Sequence, residues 1–279
     1  MAKKLKGFFN KIKESVSSII QLLILIMFAV LPFVIDISKL VGEKIGKTIN
    51  ANMEEIAISF LLSCSNAVIS IALFIVAFWM VRRINKGKAF NHLKNVYHDY
   101  PHWWYWICAK VLGYNSCNLI LVPIHMQYKL VLNSVFKIYE PGEYPKKEDD
   151  EIVIRETKGT SCNTSVVNLV FIDTYLIQSS QLPDVVKEFK TIYIQRYNGD
   201  NNRYQSEKFV NEINNVVRKL PSSVEQVNIF STTNPWHTYQ IASNVFTTGD
   251  RNNIQRIVVY QQEKDGNRIF GKKGKIVKR

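Results

Sequence analysis

Charge is missing from two long stretches near the start of the chain, and this pattern sets the first elements. From Val16 to Ile35 there are 20 uncharged residues, and from Ile56 to Val81 another 26. Each is long and apolar enough to cross a hydrocarbon layer of roughly 30 Å as a helix. Pro32 removes a backbone donor late in the first span and predicts a kink there. Before that span Leu5, Phe8, Phe9, Ile12 and Val16 share one helical face, which reads as a helix lying on a membrane or as a frayed cationic tail. In the second span Ser59, Ser63, Asn66 and Ser70 form a narrow polar stripe. Such a stripe suits packing against the first span, self-association or a pore lining.

The pattern then changes twice. Residues 84–151 begin aromatic-rich, with HWWYW suited either to a membrane interface or to the core of a juxtamembrane subdomain, and end in the charged, proline-containing linker EPGEYPKKEDDE. From residue 152 onward strands and helices alternate. The strand candidates are IVIRE (152–156), SVVNLVFI (165–172), KTIYIQR (190–196), VEQVNIF (224–230) and IQRIVVYQQ (254–262). Between them lie LPDVVKEF, the long RYQSEKFVNEINNVVRKL with Phe209, Ile213, Val216, Val217 and Leu220 on one face, and PWHTYQIASNVF. Alternation of this kind predicts an α/β, Rossmann-like domain with a mostly parallel sheet covered on both sides. The expected organisation is a basic amphipathic segment (1–15), a two-helix transmembrane hairpin (16–83), a juxtamembrane region or degenerate first lobe plus linker (84–151), a Rossmann-like domain (152–267) and a basic tail (268–279).

The formal net charge of +13 suggests a nucleic-acid polymer at first, but its distribution points to lipid. The first 15 residues, Arg82 and Arg83, and the last twelve residues carry nearly all of the excess, as expected of segments beside anionic headgroups. Cationic flanks on both spans, against an acidic loop from Asp36 to Glu55, predict a multi-pass protein with both termini cytoplasmic. Cys64, Cys108, Cys117 and Cys162 form no C-x-x-C pair, and Cys108, Cys117 and His125 match no usual zinc spacing. No disulfide, metal or other cofactor is expected.

In parallel sheets ligands sit at the carboxyl ends of the strands. Those ends are Asp173, Thr174 and Tyr175 after the second strand, Arg196 and Tyr197 after the third, and Thr232, Thr233, Asn234, Trp236 and His237 after the fourth. Hydroxyls, amides, an arginine and aromatic rings could hold phosphate and stack on bases, and they are also ordinary loop residues. Asn234 ahead of Pro235 fits a helix N-cap. No Gly-rich phosphate loop or nucleophile elbow occurs. A lone His237 is a weak catalytic signal, so no catalytic residue is assigned.

The stretch VNIFSTTNPWHTYQIASNVF followed by IQRIVVYQQ resembles the end of a SAVED domain, and AKVLGYNSCNLILVP more loosely resembles a STING-like sensor. SAVED domains are CARF-like sensors of bacterial CBASS anti-phage signalling, and some are joined to transmembrane helices. The resemblance implies a non-enzymatic effector in the bacterial inner membrane. It would bind a cyclic oligonucleotide, form a homo-oligomer on activation, and act on membrane lipid through the Ser59, Ser63, Asn66 and Ser70 face. Two other readings stay open: a membrane-bound nucleotide-processing enzyme using His237 with Asp173, and a tether or scaffold without a small ligand.

Overall fold

The computed structural model describes residues 2–36, 39, 53–92, 96–149, 151–161, 163–196, 202–247, 253–263 and 268–278, with side chains of residues 2–15 and 53–65 left undescribed. The loop expected outside the membrane and Tyr197 therefore lie almost wholly or wholly outside the described residues. The chain divides into two compact units, one of residues 1–90 and 106–115, the other of residues 91–105 and 116–279. The boundaries thus differ from those the sequence suggests: residues 116–151 belong with the α/β unit, and 106–115 with the hairpin.

In the first unit, α1 (Ala2–Ile35) and α2 (Met53–Asn85) pack against each other, and a short β1 (Ala89–Phe90) follows. The helical backbone of α1 continues without a break from the basic segment into the first span, with Pro32 inside it. Val16–Ile35 and Asn66–Asn85 are long and apolar enough to cross a membrane. Polar groups between the helices find one another. Gln21 and Asn85 exchange two amide hydrogen bonds of 3.1 and 2.7 Å, Asn66 donates to Asp36 at 2.9 Å, and the Ser70 hydroxyl donates to the Ala29 carbonyl. Asn66 and Ser70 thus face the first span of their own chain; Ser59 and Ser63 lie on the same helix. Arg82 caps the carbonyls of Lys110 and Val111 and stacks on Phe78, so this flanking cation also holds the following loop.

The second unit contains all but the last residue of α3 (His102–Trp106), with β2 (Ser116–Asn118), α4 (Ile124–Leu132) and β3 (Ile138–Glu140), β2 and β3 being parallel. Its main sheet has six strands: β4 (Val153–Thr157), β5 (Val166–Ile172), β6 (Lys190–Gln195), β7 (Gln226–Ser231), β8 (Arg256–Tyr260) and β9 (Lys275–Lys278), in the order β4-β6-β5-β7-β8-β9. The four inner strands run parallel, and each edge strand is antiparallel to its neighbour. The connections supply α5 (Asp184–Lys187), α6 (Glu207–Arg218) and α7 (Pro235–Gln240), the last continuing as a π-helical turn over Ile241–Phe246. This is the expected α/β domain with a mostly parallel sheet. One segment is corrected: Lys275–Lys278, read as part of a basic tail, is the edge strand β9, paired with β8, with Val277 buried and Ile276 and Lys278 partly so.

The sheet is apolar on both faces. Val170, Ile172, Phe230, Val258 and Tyr260 pack with Ile177, Leu182, Val186 and Phe270 on one side. Val167, Leu169 and Phe171 are equally buried on the other. A polar ladder interrupts the first face: Asn228 donates to Asn168 at 2.9 Å, and Asn168 donates to Thr191 at 3.0 Å and to the Val186 carbonyl at 2.6 Å. These residues stand opposite one another on β7, β5 and β6, so the ladder fixes strand register. Asn168→Ala leaves the Asn228 side-chain amide without its acceptor in the interior, an expected loss of about 1–3 kcal/mol. Thermal unfolding of the detergent-solubilised chain checks this.

Candidate functional site

The carboxyl ends of β5, β6 and β7 converge on a buried polar knot. Asp173, just past β5, accepts from Arg196 Nε at 2.6 Å through Oδ1, and from His237 Nδ1 at 2.7 Å and the Asn234 amide at 2.9 Å through Oδ2. Arg196 follows β6, and its own amide bonds to the Ile172 carbonyl at 2.8 Å. Asn234 is the N-cap of α7, its side chain accepting from the His237 amide, with Pro235 at the first helical position. Burial alone would raise the Asp173 carboxyl, but the His237 ring, the Arg196 guanidinium and the Asn234 amide outweigh it and hold the group below its ordinary range.

Hydrogen bonding fixes the histidine tautomer. The Ser206 amide donates to His237 Nε2 at 3.0 Å, so Nε2 carries no proton, and Nδ1–H faces the carboxylate. The Asn234 side-chain nitrogen, near Nδ1, donates instead to the Tyr204 carbonyl at 2.8 Å. The imidazole is fully buried and packed edge-on against Phe209, with both nitrogens engaged. Asp173 is therefore in contact with His237, as the enzyme reading paired them, and His237 and Asn234 order the 204–206 segment that leads into α6.

The hydroxyl-rich turn is also internal. Thr232 accepts from the Asp173 amide at 3.1 Å and donates to the Tyr175 carbonyl at 3.0 Å. Ser231, Thr233 and Thr238 form a chain of hydroxyls at 2.6 and 2.8 Å. Of the expected site residues, Asp173, Arg196, Thr232, Thr233, Asn234 and His237 are at most 5% exposed. They form a floor whose polar groups bond to each other, and the amides of Asn234 and His237 at the start of α7 are engaged in it. Thr174, Tyr175 and Trp236 are half-buried and stand at its rim.

Other rim residues come from segments the sequence marks only as loops. Gln205 forms a short backbone ladder with the linker, accepting from Lys147 at 2.9 Å and donating to Pro145 at 2.8 Å. The ladder delivers Tyr144 and Lys147. Lys147 lies 4.9 Å from the Tyr204 ring centroid, and Arg196 lies 5.5 Å from the same ring. Arg268 lies 4.2 Å over Tyr175, and Arg203 pulls down the Tyr144 phenol that burial raises. A sequence signal was present in RYNGDNNRY and EPGEYPKKEDDE, where tyrosines alternate with cations. Beside the ladder an open groove of about 550 Å³ is lined by Lys146, Lys147 and Lys208 against Glu148, Glu207 and Glu212, a balance that selects no sign of charge. Among the described residues no three His, Cys, Asp or Glu side chains gather around a metal-sized space.

Comparison with known proteins gives a family. Residues 3–277 match the family model of the SMODS- and Ubiquitin system-associated 2TM effector domain, SUa-2TM. No curated protein matches the sequence. Among solved structures the chain is similar to the Acinetobacter baumannii Cap4 SAVED/CARF-domain containing receptor with the cyclic trinucleotide 2′3′3′-cAAA, at 9% identity and a TM-score of 0.44, over 63% of this chain and 42% of that one. It is similar to the same receptor with 3′3′3′-cAAA at 8% identity and a TM-score of 0.45, over 87% and 65%. The chain thus spans 42% to 65% of the length of these receptors.

Proposed function

Because the chain belongs to the SMODS- and ubiquitin system-associated 2TM effector family, a family of membrane proteins, we propose that its α/β unit senses a cyclic oligonucleotide and that its two spans then disrupt the bacterial inner membrane, as a step in anti-phage defence. The observation that carries this reading is the rim: tyrosine rings paired with cations, Tyr204 with Lys147 and Arg196 and Tyr175 with Arg268, at the carboxyl ends of parallel strands. Rings stack on bases and cations attract phosphate, so one surface answers both parts of a nucleotide. Both termini are cytoplasmic in this reading, as the lysine and arginine flanks favour. Ligand binding drives homo-oligomerisation by favouring the assembled state. The protein works without turnover, since His237 has no nitrogen available to a substrate.

The test uses the full chain reconstituted in liposomes and a panel of cyclic di- and trinucleotides. Dye release that requires one panel member, with that member recovered intact, is the expected result. Conversion of the nucleotide would favour a processing enzyme, and neither binding nor release would leave a tether.

A further inference from the structure

The HWWYW motif divides between inside and outside. Trp104 and Tyr105 are buried, whereas Trp103 and Trp106 stand 60% and 48% exposed. The chain leaves the second unit after Tyr105 and rejoins it at Ser116, and the segment between, residues 106–115, belongs to the hairpin unit.

That segment is tied to the end of α2. Arg82 donates to the Lys110 carbonyl and, at 3.4 Å, to the Val111 carbonyl. Asn85, itself bonded to Gln21 of α1, donates to the Leu112 carbonyl at 2.9 Å, and Asn115 donates to the Lys86 carbonyl at 3.1 Å. Gly113, at a φ of +80°, lets the backbones close: a Cβ there would stand 3.0 Å from the Arg82 Cα.

These bonds set the depth of the segment in relation to the bilayer. Arg82 and Arg83 end the apolar run of α2 and mark where the span leaves the hydrocarbon. One turn deeper, Trp79 is exposed, with the Arg83 guanidinium 5.0 Å from its ring centroid. Trp106 comes four residues before Lys110, about 6 Å along the helix axis. Its exposed indole therefore stands within about one helical turn of the level that the Trp79–Arg83 pair marks.

We propose that Trp106 is a membrane-interface anchor, its indole seated at the boundary of headgroups and acyl chains. A ring with an apolar body and one N–H donor suits that boundary better than it suits water or hydrocarbon. The partner is lipid because this surface continues that of the spans, and because Arg83 and Lys86, exposed at the same level, match anionic headgroups. The anchor pins to the bilayer a segment that the chain enters from the α/β unit and leaves to return to it. It needs only the membrane family and stands whether or not the α/β unit senses a nucleotide.

The full chain in liposomes of phosphatidylcholine and phosphatidylglycerol, with acyl chains brominated either near the glycerol or near the bilayer centre, tests it. The difference in tryptophan fluorescence between wild type and Trp106→Phe isolates the Trp106 signal. Shallow bromines are expected to quench that signal at least about twofold more than deep ones, with little quenching by aqueous iodide. A nitroxide on Trp106→Cys, with the native cysteines replaced, should likewise report a depth at the headgroup boundary. The two readings rest on different variants, and since the side chain is half exposed both should melt near wild type. Quenching of the Trp106 signal by iodide, or a nitroxide open to a water-soluble nickel chelate, would overturn the anchor and put the ring in water. Protection from both bromine and iodide would overturn it by burying the ring against protein.

Discussion

Asp173→Ala is expected to lower the melting temperature of the α/β unit by roughly 6–20 °C. The carboxylate it removes accepts from the buried Arg196 Nε, the His237 Nδ1–H and the Asn234 amide at the floor. Removing one member of a buried ion pair costs about 3–5 kcal/mol because the other charge stays in the interior unmatched. In a unit of this size 1 kcal/mol moves the midpoint by about 2–4 °C. Asp173→Leu with Arg196→Met removes both charges and should recover part of the loss, since such pairs are near break-even against apolar packing. Recovery stays incomplete because His237 and Asn234 still lack an acceptor.

The same carboxylate predicts acid behaviour. Its folded value is depressed, so its stabilisation is complete above the unfolded value of about 3.9 and is lost as pH falls below that toward the folded value. Melting temperatures of the solubilised chain between pH 6 and 3 should therefore fall more steeply for wild type than for Asp173→Ala. Parallel curves would mean that Asp173 does not carry the acid limb.

The knot shows where sequence reading ends. Strands β5 to β8 were legible to within two residues, because short runs rich in β-branched and aromatic residues, bounded by turn residues and alternating with helices, suit a covered parallel sheet. The N-cap at Asn234 was legible because the cap is a local device. The pairing of Asp173 with His237 entered only as one alternative, and its contacts with Arg196 and Asn234 not at all, since they depend on the strand order β6-β5-β7, which no local pattern encodes. Nor was the burial of Thr232 and Thr233: hydroxyls in a turn look solvent-facing until their partners across the sheet are known. Tyr144 and Lys147 reach the rim only because a charged linker pairs with Gln205. At β9 the lysines of KIVK concealed an edge strand, although lysine is what an exposed edge commonly carries.

Locking the two spans together is expected to abolish ligand-dependent leakage while leaving nucleotide binding unchanged. In the hairpin the described polar groups of the interface turn inward: Ser70 to the Ala29 carbonyl, Asn66 to Asp36, and Gln21 with Asn85. The outer surface of α2 is Val68, Ile71, Ile75, Val76 and Met80, all exposed and indistinguishable from lipid in polarity. Among the described residues of α2, this outer surface therefore presents no polar stripe to a second copy and no wettable wall to water. If the Ser59, Ser63, Asn66 and Ser70 face serves assembly, α1 must first leave it, and the interhelical bonds given up must be replaced by bonds between copies. With the native cysteines replaced, Ala29→Cys with Ser70→Cys should cross-link under oxidation and hold α1 on that face. Dye release from liposomes should then fall at least about tenfold, a barrier change of 1.4 kcal/mol or more, and return on reduction. Equal release from the oxidised and reduced protein would show that hairpins act as closed pairs, and that the stripe serves only to hold the two spans of one chain together.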